Sequence, residues 1–271
     1  MTWKHYSALS TTSQSQILPD SYHHGRMIPC SSVVGPVLHA ASNLESLGLH
    51  GQMPPCIGNL TFLKRIHLPN NQLYSQILAE LGQLNRLRYL NLSSNNFISG
   101  RIPESLSSCF DLQVIDLSSN SLSGSIPEGL GSPSNLSVLR ISGNYLTGNI
   151  PISVGSSSSL VSVILNNNSL IGPVPLLLAN SWSLQLLGLR NNHLSGELPS
   201  SLFKSTSLQM LVLAENNFVG SIPVLSNIDS PLQYLILQLN DLTGTIPSTL
   251  GNFTSLLWLT FGGNSFQVAS R

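Results

Sequence analysis

The feature that most constrains this chain is its repetition. From Leu63 the pattern LxxLxLxxNxLxGxIPxxLxxx recurs every 24 residues, starting again at Leu87, Leu112, Leu136, Leu160, Leu184, Leu208, Leu232 and Leu256. The one irregular step runs from Leu87 to Leu112, where an extra residue within Phe97-Ile98-Ser99-Gly100 makes that unit 25 long. A worn unit ending in Leu49-His50-Gly51-Gln52-Met53-Pro54 precedes the regular ones, and a broken one runs to Arg271. A period of this length predicts a solenoid. A single unit cannot bury its own apolar face, so stacked neighbours must share one continuous core.

Each position in the unit has a physical role. LxxLxL predicts a short strand with its leucines pointing inward. The ninth position is Asn in nine successive units: Asn71, Asn95, Asn120, Asn144, Asn168, Asn192, Asn216, Asn240 and Asn264. A side-chain amide offers donors and an acceptor, so this column predicts a ladder that satisfies the backbone where the strand turns away, including groups of the adjoining coil. Gly in LxG permits a conformation or close approach that a Cβ hinders, and Pro in IP fixes φ and removes a donor. Together they are expected to close the outer turn. The unit from Leu63 has Ser75 for that Gly and Leu78 for that Pro, and looser packing is expected there.

Composition narrows the function. Charged residues make up 8% of the chain, with Lys+Arg and Asp+Glu balanced at 11 each, against about 25% in an ordinary soluble domain. That leaves no basic face for nucleic acid. Cys30, Cys56 and Cys109 lack CxxC spacing, so neither a zinc site nor a redox motif is indicated, and at least one of the three must be unpaired within the chain. Cys56 and Cys109 fall on outer turns and are read as small buried fillers. His23-His24 lacks a third ligand in context and is read as a solvated tail. No metal or cofactor is expected. No run approaches the roughly 18 apolar residues of a membrane span, and the stretch up to Cys30 lacks the apolar core of a secretion leader.

LxGxIP after the Asn, at this period, resembles the plant-specific leucine-rich repeat family found in receptor kinases and in polygalacturonase-inhibiting proteins. The resemblance runs from about Leu44 to Phe266. The segments GNLTFLKRIHLPNNQL, LNRLRYLNLSSNNF and SSNSLSGSIPEGLGS are most similar to the ectodomains of grass leucine-rich repeat receptor-like Ser/Thr kinases. The resemblance implies an α/β solenoid, a horseshoe with a concave parallel β-sheet and a convex side of short 3-10 turns and loops. It also implies a plant cell-surface module for signalling or defence, binding a peptide or protein ligand and a co-receptor. Residues 1–38 are then a degenerate N-terminal cap region, and residues 39–271 a solenoid of about ten units.

Such ectodomains open with a leader and a cap carrying a cysteine pair, whereas only Cys30 lies in the cap region here. Gln267 to Arg271 stand where GxIP and further repeats belong. The expectation is therefore an ectodomain truncated before its membrane helix and kinase. The alternatives are a secreted polygalacturonase-inhibitor-like wall protein or a gene remnant without function. Glycine-rich phosphate loop, HRD and DFG signatures are all missing, so no kinase activity carries over and no enzyme is expected.

Candidate sites follow from the repeat frame. Asn59, Asn91, Asn135, Asn167 and Asn252 begin NxS/T sequons, acceptors for N-glycans in a secreted chain. Asn91 falls within a strand and faces the concave side, where a glycan blocks the face locally. Positions three, five, seven and eight of each unit are expected to point outward on that face. Its N-terminal half carries Arg65, His67, Tyr89, Asp116 and Arg140; its C-terminal half carries Met210, Val212, Tyr234, Ile236 and Trp258. Of these, Tyr89, Asp116, Arg140 and the five apolar residues are the candidate ligand contacts. A contiguous apolar patch marks an interaction surface, although strands favour β-branched and aromatic residues for their own reasons.

Overall fold

The computed structural model describes residues 44–223 and 230–267. Each coil opens with a three-residue strand: Arg65–His67, Tyr89–Asn91, Val114–Asp116, Val138–Arg140, Ser162–Ile164, Leu186–Gly188, Met210–Val212, Tyr234–Ile236 and Trp258–Thr260. These pair in chain order, in parallel, into one nine-stranded sheet. Every residue faces the same repeat position in the next coil, as Leu186, Leu187 and Gly188 face Met210, Leu211 and Val212. Alternation along so short a strand sends its middle residue inward, so Ile66, Leu90, Ile115, Leu139 and Leu235 are buried. The apolar core runs unbroken from Met53 to Phe253. The opposite side is built of 3-10 turns such as Ala79–Gln83, Glu104–Ser108 and Ile152–Ser156, with one α-helical turn among the described residues, at Leu176–Ala179.

The LxGxIP stretch, expected from sequence to be only an outer turn, is a strand in almost every coil. His50–Gly51, Gln72–Gln76, Phe97–Gly100, Ser121–Ser125, Tyr145–Asn149 and their successors form a second nine-stranded parallel sheet on the flank. Here Leu73, Leu122 and Leu146 point into the core while their neighbours are exposed or half-buried. One buried residue per strand is too weak an alternation to be read as a strand from sequence. The glycine that follows has φ between +76° and +87° in the coils from Gly100 to Gly244.

Packing around Ser75 and Leu78 is not looser. Ser75 takes φ +87°, and Leu78, at φ −73° and ψ 134°, nearly reproduces Pro103 at −66° and 133°. Leu73, Ile77 and Leu81 remain buried. Neighbouring coils impose the shared geometry, so Ser75 carries backbone strain, of order 1–2 kcal/mol for a non-glycine left-handed residue, while Leu78 adopts the proline-like angles without strain. A different glycine column sets the closeness of the convex side. A Cβ on Gly131 would lie 2.1 Å from Ser153 O, and one on Gly155 would lie 2.2 Å from Leu178 N.

The asparagine column makes a repeated set of bonds. Asn144 Nδ2 donates to Leu117 O of the preceding coil at 3.0 Å, and to Ile141 O and Ser142 O of its own turn at 3.1 and 3.3 Å. Its Oδ1 accepts from Leu122 N at 2.9 Å. The other eight repeat the donations to the preceding coil and to their own turn. Asn120 alone departs, because its buried Oδ1 has no partner. The group that would reach it belongs to the coil with the extra residue, and there Ile98 N donates instead to Asn95 O at 2.8 Å. The residue before each ladder Asn is left-handed throughout, from Asn70 at φ +55° to Leu239 at +56°, including Glu215 at +57°.

The two outer-turn cysteines differ from each other. Cys109 is the buried filler expected: its Sγ donates to Leu81 O at 3.3 Å, and burial raises its pKa to about 11. Cys56 is not a filler, since it is half-buried and disulfide-bonded. The cap region at residues 1–38, with Cys30, His23 and His24, lies outside the described residues.

Candidate ligand-binding face

The exposed column of the first sheet brings the apolar candidates together. Met210 faces Tyr234, Val212 faces Ile236, and Tyr234 in turn faces Trp258. Four of the five side chains are half-buried and Trp258 is 59% exposed. Adjacent strands are about 4.8 Å apart, so the patch is continuous over roughly 10 Å.

The N-terminal half is a self-bonded polar cluster. The Arg65 guanidinium lies over the Tyr89 ring, 4.3 Å from its centroid. His67 packs against Tyr89 with ring centroids 5.5 Å apart and bonds Glu45 Oε2 at 3.4 Å. Burial holds the His67 pKa below its ordinary value despite that carboxylate. Asp116 and Arg140 are opposite one another in register. Yet Asp116 Oδ1 accepts from Ser118 N at 3.1 Å, and Arg140 enters no ion pair among the described residues.

Asn91 does not suit a glycan. Its side chain is on the concave face as expected, but it is 8% exposed, and its Oδ1 accepts from Ser93 N and Ser93 Oγ at 2.9 and 2.8 Å. Attachment there would break both bonds. Asn59, Asn135, Asn167 and Asn252 are exposed.

Two features were not foreseen. Arg190 Nη2 and Glu215 Oε1 form an ion pair at 2.6 Å on the rim of the face; they occupy positions seven and eight of successive units, so the frame could have paired them. Away from the face, an open groove of about 760 Å³ is lined by Ile152, Pro173, Pro175, Leu176, Leu177 and Pro199. Its sequence sign is the run Leu176-Leu177-Leu178, two of whose three residues are exposed.

A solenoid with one continuous, addressable sheet face is a recognition scaffold. The family profile described as Leucine Rich Repeat matches residues 86–109, 111–133, 135–157, 183–205 and 231–253. Among solved structures, the chain is similar to the plant peptide hormone receptor RGFR1 in complex with RGF2, with 33% identity, a TM-score of 0.76, and coverage of 81% of this chain and 35% of that one. It is equally similar to the Arabidopsis receptor kinase HAESA in complex with the peptide hormone IDA and the co-receptor SERK1, at 33% identity and TM-score 0.77, covering 81% and 37% of the two chains. A plant ice-binding protein matches at 30% identity and TM-score 0.70, over 80% of this chain and 70% of that one. No curated protein matches. The chain belongs to the plant leucine-rich repeat family, of the type seen in receptor-kinase ectodomains, and it spans about a third of the receptor ectodomains it matches.

Proposed function

We propose that this chain is a non-catalytic recognition module of plant cell-surface signalling, binding an extended peptide or a peptide-like segment of a protein across its concave sheet. The carrying observation is the in-register patch of Met210, Val212, Tyr234, Ile236 and Trp258. Aromatic side chains on a rigid sheet offer large contact area at small entropic cost, and a few such residues dominate binding energy. Tyr89, Asp116 and Arg140 would supply polar contacts farther along the same face. The resemblance to receptors solved with peptide hormones, one of them with a co-receptor as well, supports this reading, an extracellular location and a second protein partner.

The test uses the full chain and a library of random dodecapeptides displayed on phage. The parent protein should enrich a family of related peptides. Tyr234→Ala and Trp258→Ala should each weaken a selected peptide by about thirtyfold, the effect of losing roughly 2 kcal/mol at a hot spot. Arg65→Ala, already engaged with Tyr89, should change little. Peptides that still bind both aromatic variants but not Arg65→Ala would move the site to the polar half and overturn the assignment.

A further inference from the structure

We propose that the convex shoulder from Glu104 to Pro199 is a docking groove for an amphipathic helix of a partner protein, one with basic residues at one end and aliphatic residues along the rest. The groove lies away from the concave sheet and does not depend on the peptide reading. In each of five successive coils the residue after the IP proline, or its equivalent, opens the convex turn, and that column reads Glu104, Glu128, Ile152, Leu176 and Ser200. Ile152 is 62% exposed, Leu176 70% and Leu177 46%, whereas Leu178 of the same run is fully buried. Leu178 takes the core place held by Leu106, Leu130 and Val154 in the preceding coils. The core therefore uses one leucine of the three. Pro173 stands where the neighbouring coils carry Asn149 and Glu197, and with Pro175 and Pro199 it lines the same groove of about 760 Å³. Apolar residues scattered singly over a surface are ordinary, but residues that share one concavity mark an interaction site. The prolines fix the backbone of its walls, so the groove is formed before anything enters it.

The walls select the form of the occupant. The flank strands Tyr145–Asn149, Ser169–Gly172 and His193–Glu197 beside the groove are each paired on both sides. They leave no open edge to which an extended segment could add. A helix closes its own backbone bonds and needs only side-chain contacts. It also advances about 5.4 Å per turn, close to the roughly 4.8 Å step between coils, so that successive turns meet successive coils. From the coil of Glu104 to that of Pro199 is four such steps, about 19 Å, which a helix of about 13 residues spans.

Charge sets the composition of that helix. Glu104 Oε1 accepts from Gly129 N at 3.1 Å and Glu128 Oε1 from Ser153 N at 3.4 Å, so the next coil holds each carboxylate in place. Neither acid enters an ion pair among the described residues. Glu197 is exposed on the groove wall, and no Lys, Arg or His lines the groove. The shoulder is thus negative at one end and apolar in its middle. Its complement carries Lys or Arg within one turn and aliphatic residues at i, i+3, i+4 and i+7 beyond it. The same acids oppose an anionic membrane surface.

A phage-displayed library of helix-forming peptides of about 15 residues, randomised on one face, is selected on the full chain carrying Tyr234→Ala and Trp258→Ala, which removes the concave patch from the selection. We expect enriched helices with Lys or Arg within one turn and Leu, Ile or Met at helical spacing beyond it. Remade synthetically, such a helix should bind the parent chain equally well and lose about tenfold or more in affinity on Leu176→Glu, a change at an exposed position. Glu104→Lys combined with Glu128→Lys should cost about fivefold at low salt, and exchanging the bases of the peptide for glutamate should recover it, a reversal that misfolding cannot produce. Enriched helices indifferent to Leu176→Glu, or no enriched helix at all, would overturn the groove and leave the concave reading untouched. Two other occupants would overturn it as well. A dimer of the parent chain in sedimentation, lost on Leu176→Glu, would make the shoulder a self-association face. Binding to phosphatidylcholine vesicles, lost on the same change, would make it a lipid contact.

Discussion

Asn144→Ala and Asn120→Ala remove the same side chain from adjacent coils, yet they should not cost the same. Both amides donate to three carbonyls, Asn144 to Leu117, Ile141 and Ser142, and Asn120 to Leu92, Leu117 and Ser118, at distances from 3.0 to 3.3 Å. With two N–H protons shared among three acceptors, each amide makes the equivalent of about two bonds, so either truncation forfeits about 2 kcal/mol at roughly 1 kcal/mol per bond. Asn144 Oδ1 also accepts the buried N–H of Leu122, whereas Asn120 Oδ1 accepts nothing. Removing Asn144 therefore leaves a buried donor unpaired, a further penalty of about 1–2 kcal/mol. The expected losses are about 3–4 kcal/mol for Asn144→Ala and about 2 kcal/mol for Asn120→Ala. Urea unfolding followed by far-ultraviolet circular dichroism measures both, provided the slope of free energy against urea is unchanged between them. Equal losses would refute the claim that the extra residue near Phe97 silences one rung of the ladder.

Two further outcomes follow from backbone strain and from charge. Ser75→Gly should stabilise the chain by about 1 kcal/mol, the relief of a left-handed serine less the added freedom of the unfolded chain, with a higher midpoint in the same urea assay. For His67, burial lowers the folded pKa below 6.5, so the unfolded chain takes up its proton first. Its contribution is thus fully present above pH 6.5 and lost as pH falls through the folded value. His67→Gln should flatten the stability profile in that acidic window, and an unchanged slope would assign it to other groups.

The sequence exposed what repeats and concealed what is merely shared. Leucine and asparagine columns fixed the core, the register of the concave sheet and the residues that face each other across it, including Tyr234 beside Trp258. The flanking sheet was hidden because each of its strands buries a single residue, and some of the exposed neighbours, such as Phe97, Ile171 and Val219, are themselves apolar. The left-handed step before each ladder Asn was hidden for another reason. Asn70, Ser94, Gly143, Glu215 and Leu239 all adopt it, so the conformation is imposed by the stack rather than by residue preference. Cys56 shows the same limit from a different side, since spacing alone gave no partner for it. The unpaired state of Arg140 was also beyond reach, because sequence placed Asp116 beside it and could not show that the carboxylate turns away.

The extra residue at Phe97 is absorbed entirely between one concave strand and the next. Tyr89, Leu90 and Asn91 still meet Val114, Ile115 and Asp116, and on the flank Ile98 takes the inward place while Phe97 is displaced to 62% exposure. The solenoid thus behaves like a text whose frame is reset at every line: an insertion shifts letters only until the next asparagine. Length changes in the connecting segments can accumulate without re-addressing any column of the recognition surface, at a cost limited to one carbonyl oxygen left without its donor. Such a scaffold can vary what it displays and how long each coil is as two independent quantities.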